Sequence, residues 1–118
     1  VCIWALAADT DAEARRLLKT REQWRVGFEK GIRAALVSPE EAEAQAYSAE
    51  DKVRIDALRR KAFVGTADAV AGRLRAEASR LALDELVIVT WTFDPEARKR
   101  SYSLLAQAFD LKRDAGQA

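Results

Sequence analysis

The sequence predicts an α/β domain built on parallel strands, and three observations carry that prediction. Runs of strand character alternate with runs of helical period, in the order β-α, a long connection with helices, then β-α-β-α. The run Leu86-Val87-Ile88-Val89-Thr90-Trp91-Thr92 is rich in β-branched and aromatic residues without polar alternation, as expected of a parallel strand covered on both faces. Each strand-like run is also followed by a residue suited to start a helix: Thr10, Thr66 or Asp94.

The first strand is placed at about residues 1–8, an apolar run that ends at the turn-like Asp9-Thr10-Asp11. Thr10 followed by Glu13 has the spacing of a capping box and opens a helix. Its apolar positions Ala14, Leu17, Leu18, Trp24 and Phe28 share one face, and Gly31 is placed to end it near Lys30. Ser38-Pro39-Glu40-Glu41 then starts a short exposed helix with proline in its first turn. Ser48 with Asp51 begins a modest amphipathic helix whose inner positions are Val53, Ile55, Leu58 and Ala62. A second strand is expected at about 62–65, around Phe63-Val64, with Thr66 capping the next helix. That helix places Val70, Leu74, Ala78 and Leu81 on one face. The third strand, at about 85–92, leads to Asp94 as cap and Pro95 at the first helical position. Ala97, Ser101, Leu104, Leu105 and Ala108 line the inner face of this last helix. Residues 112–118 are polar and small and read as a disordered tail.

Composition narrows the function classes. The 118 residues carry 20 Lys plus Arg against 19 Asp plus Glu, a balance that offers no field for nucleic acid or an acidic membrane face. No apolar run approaches the roughly 20 residues of a membrane span, and no basic segment precedes Val1, so a cytoplasmic protein is expected. The single Cys2 lies in an apolar run and reads as a buried thiol. The absence of His removes the commonest neutral-pH general base and metal ligand, so no catalytic residue and no metal site is assigned. The sequence also lacks Met and enters a strand at once, which reads as a cut N-terminal edge.

Several segments resemble one family when taken together. Ala7-Ala8-Asp9-Thr10-Asp11-Ala12-Glu13-Ala14, Phe63-Val64-Gly65-Thr66 with Val70 and Leu74, Asp84-Glu85-Leu86, and Asp94-Pro95-Glu96-Ala97-Arg98 with Ser101-Tyr102 and Leu105-Ala106 are similar, in order and spacing, to the closing segments of bacterial luciferase-like, flavin-dependent monooxygenases. The resemblance implies that residues 1–111 are a C-terminal partial barrel domain, the last three βα units of a (β/α)8 TIM-type barrel, with residues 31–61 as a helical insertion. It implies a parent enzyme that oxidises an organic substrate with O2 through reduced FMN, or through the deazaflavin F420, supplied by a flavin reductase. The piece itself is then inactive, binds no cofactor, and self-associates through its exposed strand edges. The alternative is a small free-standing α/β interaction or regulatory module.

In such a barrel only strand C-termini reach the reactive mouth. Trp91 is therefore a candidate wall for an isoalloxazine or substrate pocket, against the favoured reading of packing mass. Thr66 is a candidate for meeting a cofactor anion at a helix N-terminus, against the favoured reading of a plain cap. Trp4 and Trp24 are read as core and helix-packing residues. Arg98, Lys99 and Arg100 are read as a solvated face with Glu96 paired to Arg100, and Arg54, Arg59, Arg60 and Lys61 likewise.

Overall fold

The computed structural model describes residues 1–111, so the expected tail at 112–118 lies outside the described residues. The elements are β1 (Cys2–Ala8), α1 (Asp11–Glu29), α2 (Pro39–Glu43), α3 (Ala49–Lys61), β2 (Phe63–Thr66), α4 (Ala67–Arg80), β3 (Val87–Val89) and α5 (Pro95–Ala108). The strands form one parallel sheet in the order β2-β1-β3, with Ala5 opposite Phe63 and Ile3 opposite Ile88.

This topology corrects the expected barrel. Three consecutive barrel units would place the second strand between the first and third, with every helix on the outer face. Here β1 is the middle strand. Alternation along β1 sends Ile3, Ala5 and Ala7 to a cluster with Val70 and Leu74 of α4 and Leu105 of α5. Trp4, Leu6 and Ala8 go to a second cluster with Ala14 and Leu17 of α1, which Ala97 at the start of α5 also reaches. The sheet is thus clad by helices on both faces, a three-layer α/β arrangement and not a barrel segment.

The caps explain where the helices begin and end. Thr10 Oγ1 accepts from the Glu13 amide at 3.1 Å, but the Glu13 carboxylate pairs with Arg16 and does not close the box. At Ser48 the box is complete, with Asp51 accepting from the Ser48 amide. The end of α1 is a Schellman turn: the Ile32 amide donates to Gly27 and the Gly31 amide to Phe28, with Gly31 at φ +82°. Gly65 has φ +152°, and a Cβ there would sit 3.3 Å from Asp11 Oδ1, so glycine lets β2 pass directly beneath the start of α1.

Other expectations are revised by position in the sheet. β3 is an edge strand of three residues, shorter than the expected 85–92, and Val87 and Val89 are exposed on the side that α1 leaves uncovered. β2 spans Phe63–Thr66 and not 62–65, because its pairing with β1 runs to Thr66. Cys2 is exposed at the start of β1, where no helix covers the strand. Val53 and Leu81, expected inside, are exposed, since α3 buries Ile55 and α4 buries Val70, Ala71 and Leu74.

Residues 31–61 do not hang free as an exposed connection. Thr20 donates to the Val37 carbonyl, Arg16 pairs with Glu40, Lys19 with Glu43, Lys30 with Asp51, and Arg59 with Glu22. Most of these pairs are exposed and contribute little, but Glu22 and Asp51 are nearly buried. Burial raises the Glu22 carboxyl above its usual range, offset in part by Arg59, whereas the Lys30 hydrogen bond holds Asp51 below its usual range. No helix among the described residues is long and apolar enough to cross a membrane.

Candidate functional site

Past Val89 the ladder stops, and side chains take over its work at Thr90. The fully buried Thr90 donates from Oγ1 to the Ala5 carbonyl at 2.6 Å, and its amide donates to the Tyr102 hydroxyl at 2.9 Å. Its carbonyl accepts from Arg98 Nε at 2.7 Å. Thr90 is thereby tied to the middle strand and to α5, and the next residue, Trp91, is held in place on the α1 side of the sheet. Arg98 therefore serves as an anchor while lying on the exposed face expected of it.

Trp91 meets two other tryptophans. Its ring lies 5.6 Å from Trp4 and 5.5 Å from Trp24, both edge-on, and Trp24 stacks on Phe28 at 4.9 Å. Trp4 comes from β1, Trp24 from α1 and Trp91 from the end of β3, so the cluster joins three elements. Arg21 of α1 lies over the Trp4 ring at 4.2 Å and 5.9 Å from that of Trp91. The three tryptophans and Arg21, with Arg25, Leu36 and Val89, line an open cleft of about 420 Å3.

The electrostatics of this cleft are unusual. Trp4 Nε1, Arg21 Nε and Arg25 Nε are buried donors without a hydrogen-bond partner. Among the described residues no carboxylate lines the cleft. Burial, together with the neighbouring Arg25, pulls the Arg21 guanidinium below its usual value. A desolvated donor with no acceptor costs about 1–3 kcal/mol, so the site favours any acceptor that enters.

Of the two residues singled out from sequence, Trp91 lies in this cleft and Thr66 does not. Thr66 caps α4 through the Ala69 amide and borders a separate hollow with Asp9 and Asp68, whose carboxylates disfavour a second anion. Trp4 and Trp24 were expected as packing residues, and the structure sets both beside Trp91. Arg21 and Arg25 were not singled out. The signal was present: Leu17, Arg21, Trp24 and Phe28 follow helical spacing, so Arg21 stands where the apolar stripe calls for an apolar residue. The expected Glu96–Arg100 pair does not form, since Glu96 holds Lys99 and Arg100 holds Asp9 at 2.7 Å. Arg59 keeps its expected exposed position and from there pairs with buried Glu22.

Comparison with known proteins adds relatives but no family. No family model matches the chain. It is 33% identical over 107 residues to the uncharacterized protein YceB of Bacillus subtilis (strain 168), covering 91% of this chain and 32% of YceB. The uncharacterized protein YwcH of the same organism is 34% identical over 110 residues, covering 92% of this chain and 33% of YwcH. Among solved structures the fold is similar to the crystal structure of apo-MsnO8, with TM-score 0.76 and 26% identity over 96% of this chain and 35% of that one. The chain thus spans about a third of the length of the proteins it matches. The resemblance to luciferase-like monooxygenases is not upheld: no family model supports it, and the sheet order departs from the barrel it implied.

Proposed function

We propose that the chain forms part of a longer, cytoplasmic, flavin-dependent enzyme that oxidises an organic substrate with O2, and that its own contribution is a wall of the substrate pocket. The observation that supports this reading is the cleft at Trp91, where three indoles and two guanidiniums meet with donors left unpaired. A reduced flavin, when bound, supplies the oxygen chemistry, while the surrounding protein supplies position and dryness. In this reading the cleft takes the substrate and not the FMN, and Thr66 at the α4 N-terminus, beside Asp9 and Asp68, meets no phosphate. FMN is accordingly assigned to the rest of the longer protein, with a flavin reductase as its supplier. The spans of YceB, YwcH and MsnO8 leave room for that remainder.

The isolated chain is proposed to self-associate through β3, whose outer edge is unpaired among the described residues and whose Val87 is 51% exposed. The functional reading is tested by expressing the chain with its flanking coding sequence and measuring O2 consumption with reduced FMN. Flavin-dependent uptake in the longer protein, with no tight FMN binding by the 118-residue chain, is expected. A longer protein that neither binds flavin nor consumes O2 would refute it.

A further inference from the structure

We infer that the cleft between α1 and the end of β3 binds a planar aromatic carboxylate, with the ring held among Trp4, Trp24 and Trp91 and the carboxylate held by Arg21 and Arg25. This names a substrate class for the proposed function and rests on that reading only for its link to oxidation. The binding itself stands on geometry.

Three features of the cleft select this chemistry. The tryptophans meet edge to face at 5.5–5.6 Å, and although Arg21 covers one face of Trp4 and Phe28 one face of Trp24, their remaining faces and edges stand at different angles and suit a flat ring. Arg21 and Arg25, one helical turn apart on α1, have buried Nε groups without acceptors, and among the described residues no carboxylate lines the cleft. Two neighbouring cations with no counter-charge repel each other in a poorly solvated place, and an anion between them relieves that repulsion. A carboxylate matches the planar fork of a guanidinium, accepting two parallel hydrogen bonds. Trp4 Nε1, on another wall residue of the cleft, is likewise buried without an acceptor.

What sets Arg21 and Arg25 apart among the described residues is that both lack a carboxylate and both have a buried Nε without an acceptor, whereas Arg73, Arg75 and Arg98, also without a carboxylate, donate to the carbonyls of Ala62, Ala108 and Thr90. Arg15, Arg16, Arg54, Arg59, Arg80 and Arg100 each have a carboxylate within 4 Å. Arg21 and Arg25 point instead into an aromatic cleft of about 420 Å3, roomy enough for a bicyclic acid.

The test uses the intact 118-residue chain and 2-naphthoate as probe, read by quenching of tryptophan fluorescence. Saturable quenching with an apparent Kd on the order of 0.1 mM is expected. The neutral analogue 2-naphthamide should bind at least about tenfold more weakly to the same wild-type chain, which needs no variant to fold. Arg21→Gln should weaken naphthoate by about ten- to hundredfold, and Arg21→Lys by less, with circular dichroism confirming that both fold. Equal binding of acid and amide, or displacement of naphthoate by equimolar inorganic phosphate, would overturn the inference. If naphthoate binds but the longer protein shows no flavin-dependent O2 uptake, the functional reading fails and the site stands. If uptake occurs and naphthoate does not bind, the site fails alone.

Discussion

The two faces of β1 are built from the same strand and serve opposite ends. One face, through Ile3, Ala5 and Ala7, closes against fully buried Val70 and Leu74, with the Ala7 amide donating to buried Ser101 Oγ at 2.9 Å. The other begins closed, at Leu6, Ala8 and Ala14, and then opens toward Trp4, where aromatic rings and arginines replace aliphatic side chains. Small side chains allow close approach on the first face, and bulky rings that cannot fill space evenly leave the cleft on the second. Stability is concentrated on one side of a single strand and recognition on the other.

Mutations on the closed face should have the largest effects. Leu74→Ala empties a fully buried site and should destabilise the chain by about 2–5 kcal/mol in urea unfolding, with cleft binding lost only in proportion to unfolded protein. Ser101→Ala leaves the Ala7 amide buried without an acceptor and should cost about 1–3 kcal/mol by the same measurement. Trp91→Ala on the open face should cost less, about 1–2 kcal/mol, because its ring borders a cleft and not a filled core. Its effect on naphthoate quenching should nevertheless exceed that of Leu74→Ala. A Trp91→Ala penalty as large as that of Leu74→Ala would erase the distinction between the faces.

Much of this division was legible in the sequence, and the misses have definite causes. Helix starts at Thr10, Ser38, Ser48, Thr66 and Asp94 were readable because a cap is local chemistry within a few residues. The strand β1 was readable from its uniform apolar run, and its second half, Ala5 to Ala8, is buried. Strand order was not readable, since nothing in Leu86–Thr92 states that β3 pairs with β1 and not β2. For the same reason β3 was expected to be covered on both faces, although an edge strand of similar composition exposes Val87. Trp91 was visible as a candidate, but its partners Arg21 and Arg25 became significant only once α1 was laid over the sheet.

The smallest effects concern the outer side of α1, where two nearly buried carboxylates titrate in opposite senses. Glu22 has a folded pKa raised above 4.5 by burial, so the native state holds its proton longer, and stability contributed here falls as pH rises from 4.5 through the folded value. Asp51 has a folded pKa lowered beneath 3.8 by Lys30, so its contribution is present above 3.8 and is lost as pH falls through the folded value. Glu22→Gln should flatten the stability profile just above pH 4.5, and Asp51→Asn the profile below pH 3.8, in urea midpoints measured across that range. Neither should alter naphthoate binding at pH 7, since neither residue lines the cleft.

The anchorage of Thr90 has a consequence for exchange with solvent deuterium. Its amide is outside the ladder and would ordinarily exchange like a loop, yet its acceptor is the Tyr102 hydroxyl on α5. Exchange at this one amide therefore requires that hydrogen bond to part, by movement of the Tyr102 ring or of α5, and its rate reports the hold of a helix on a residue that belongs to no strand. Tyr102→Phe should release that single amide while its neighbours in β1 remain slow, marking the place where the sheet is held together by a side chain.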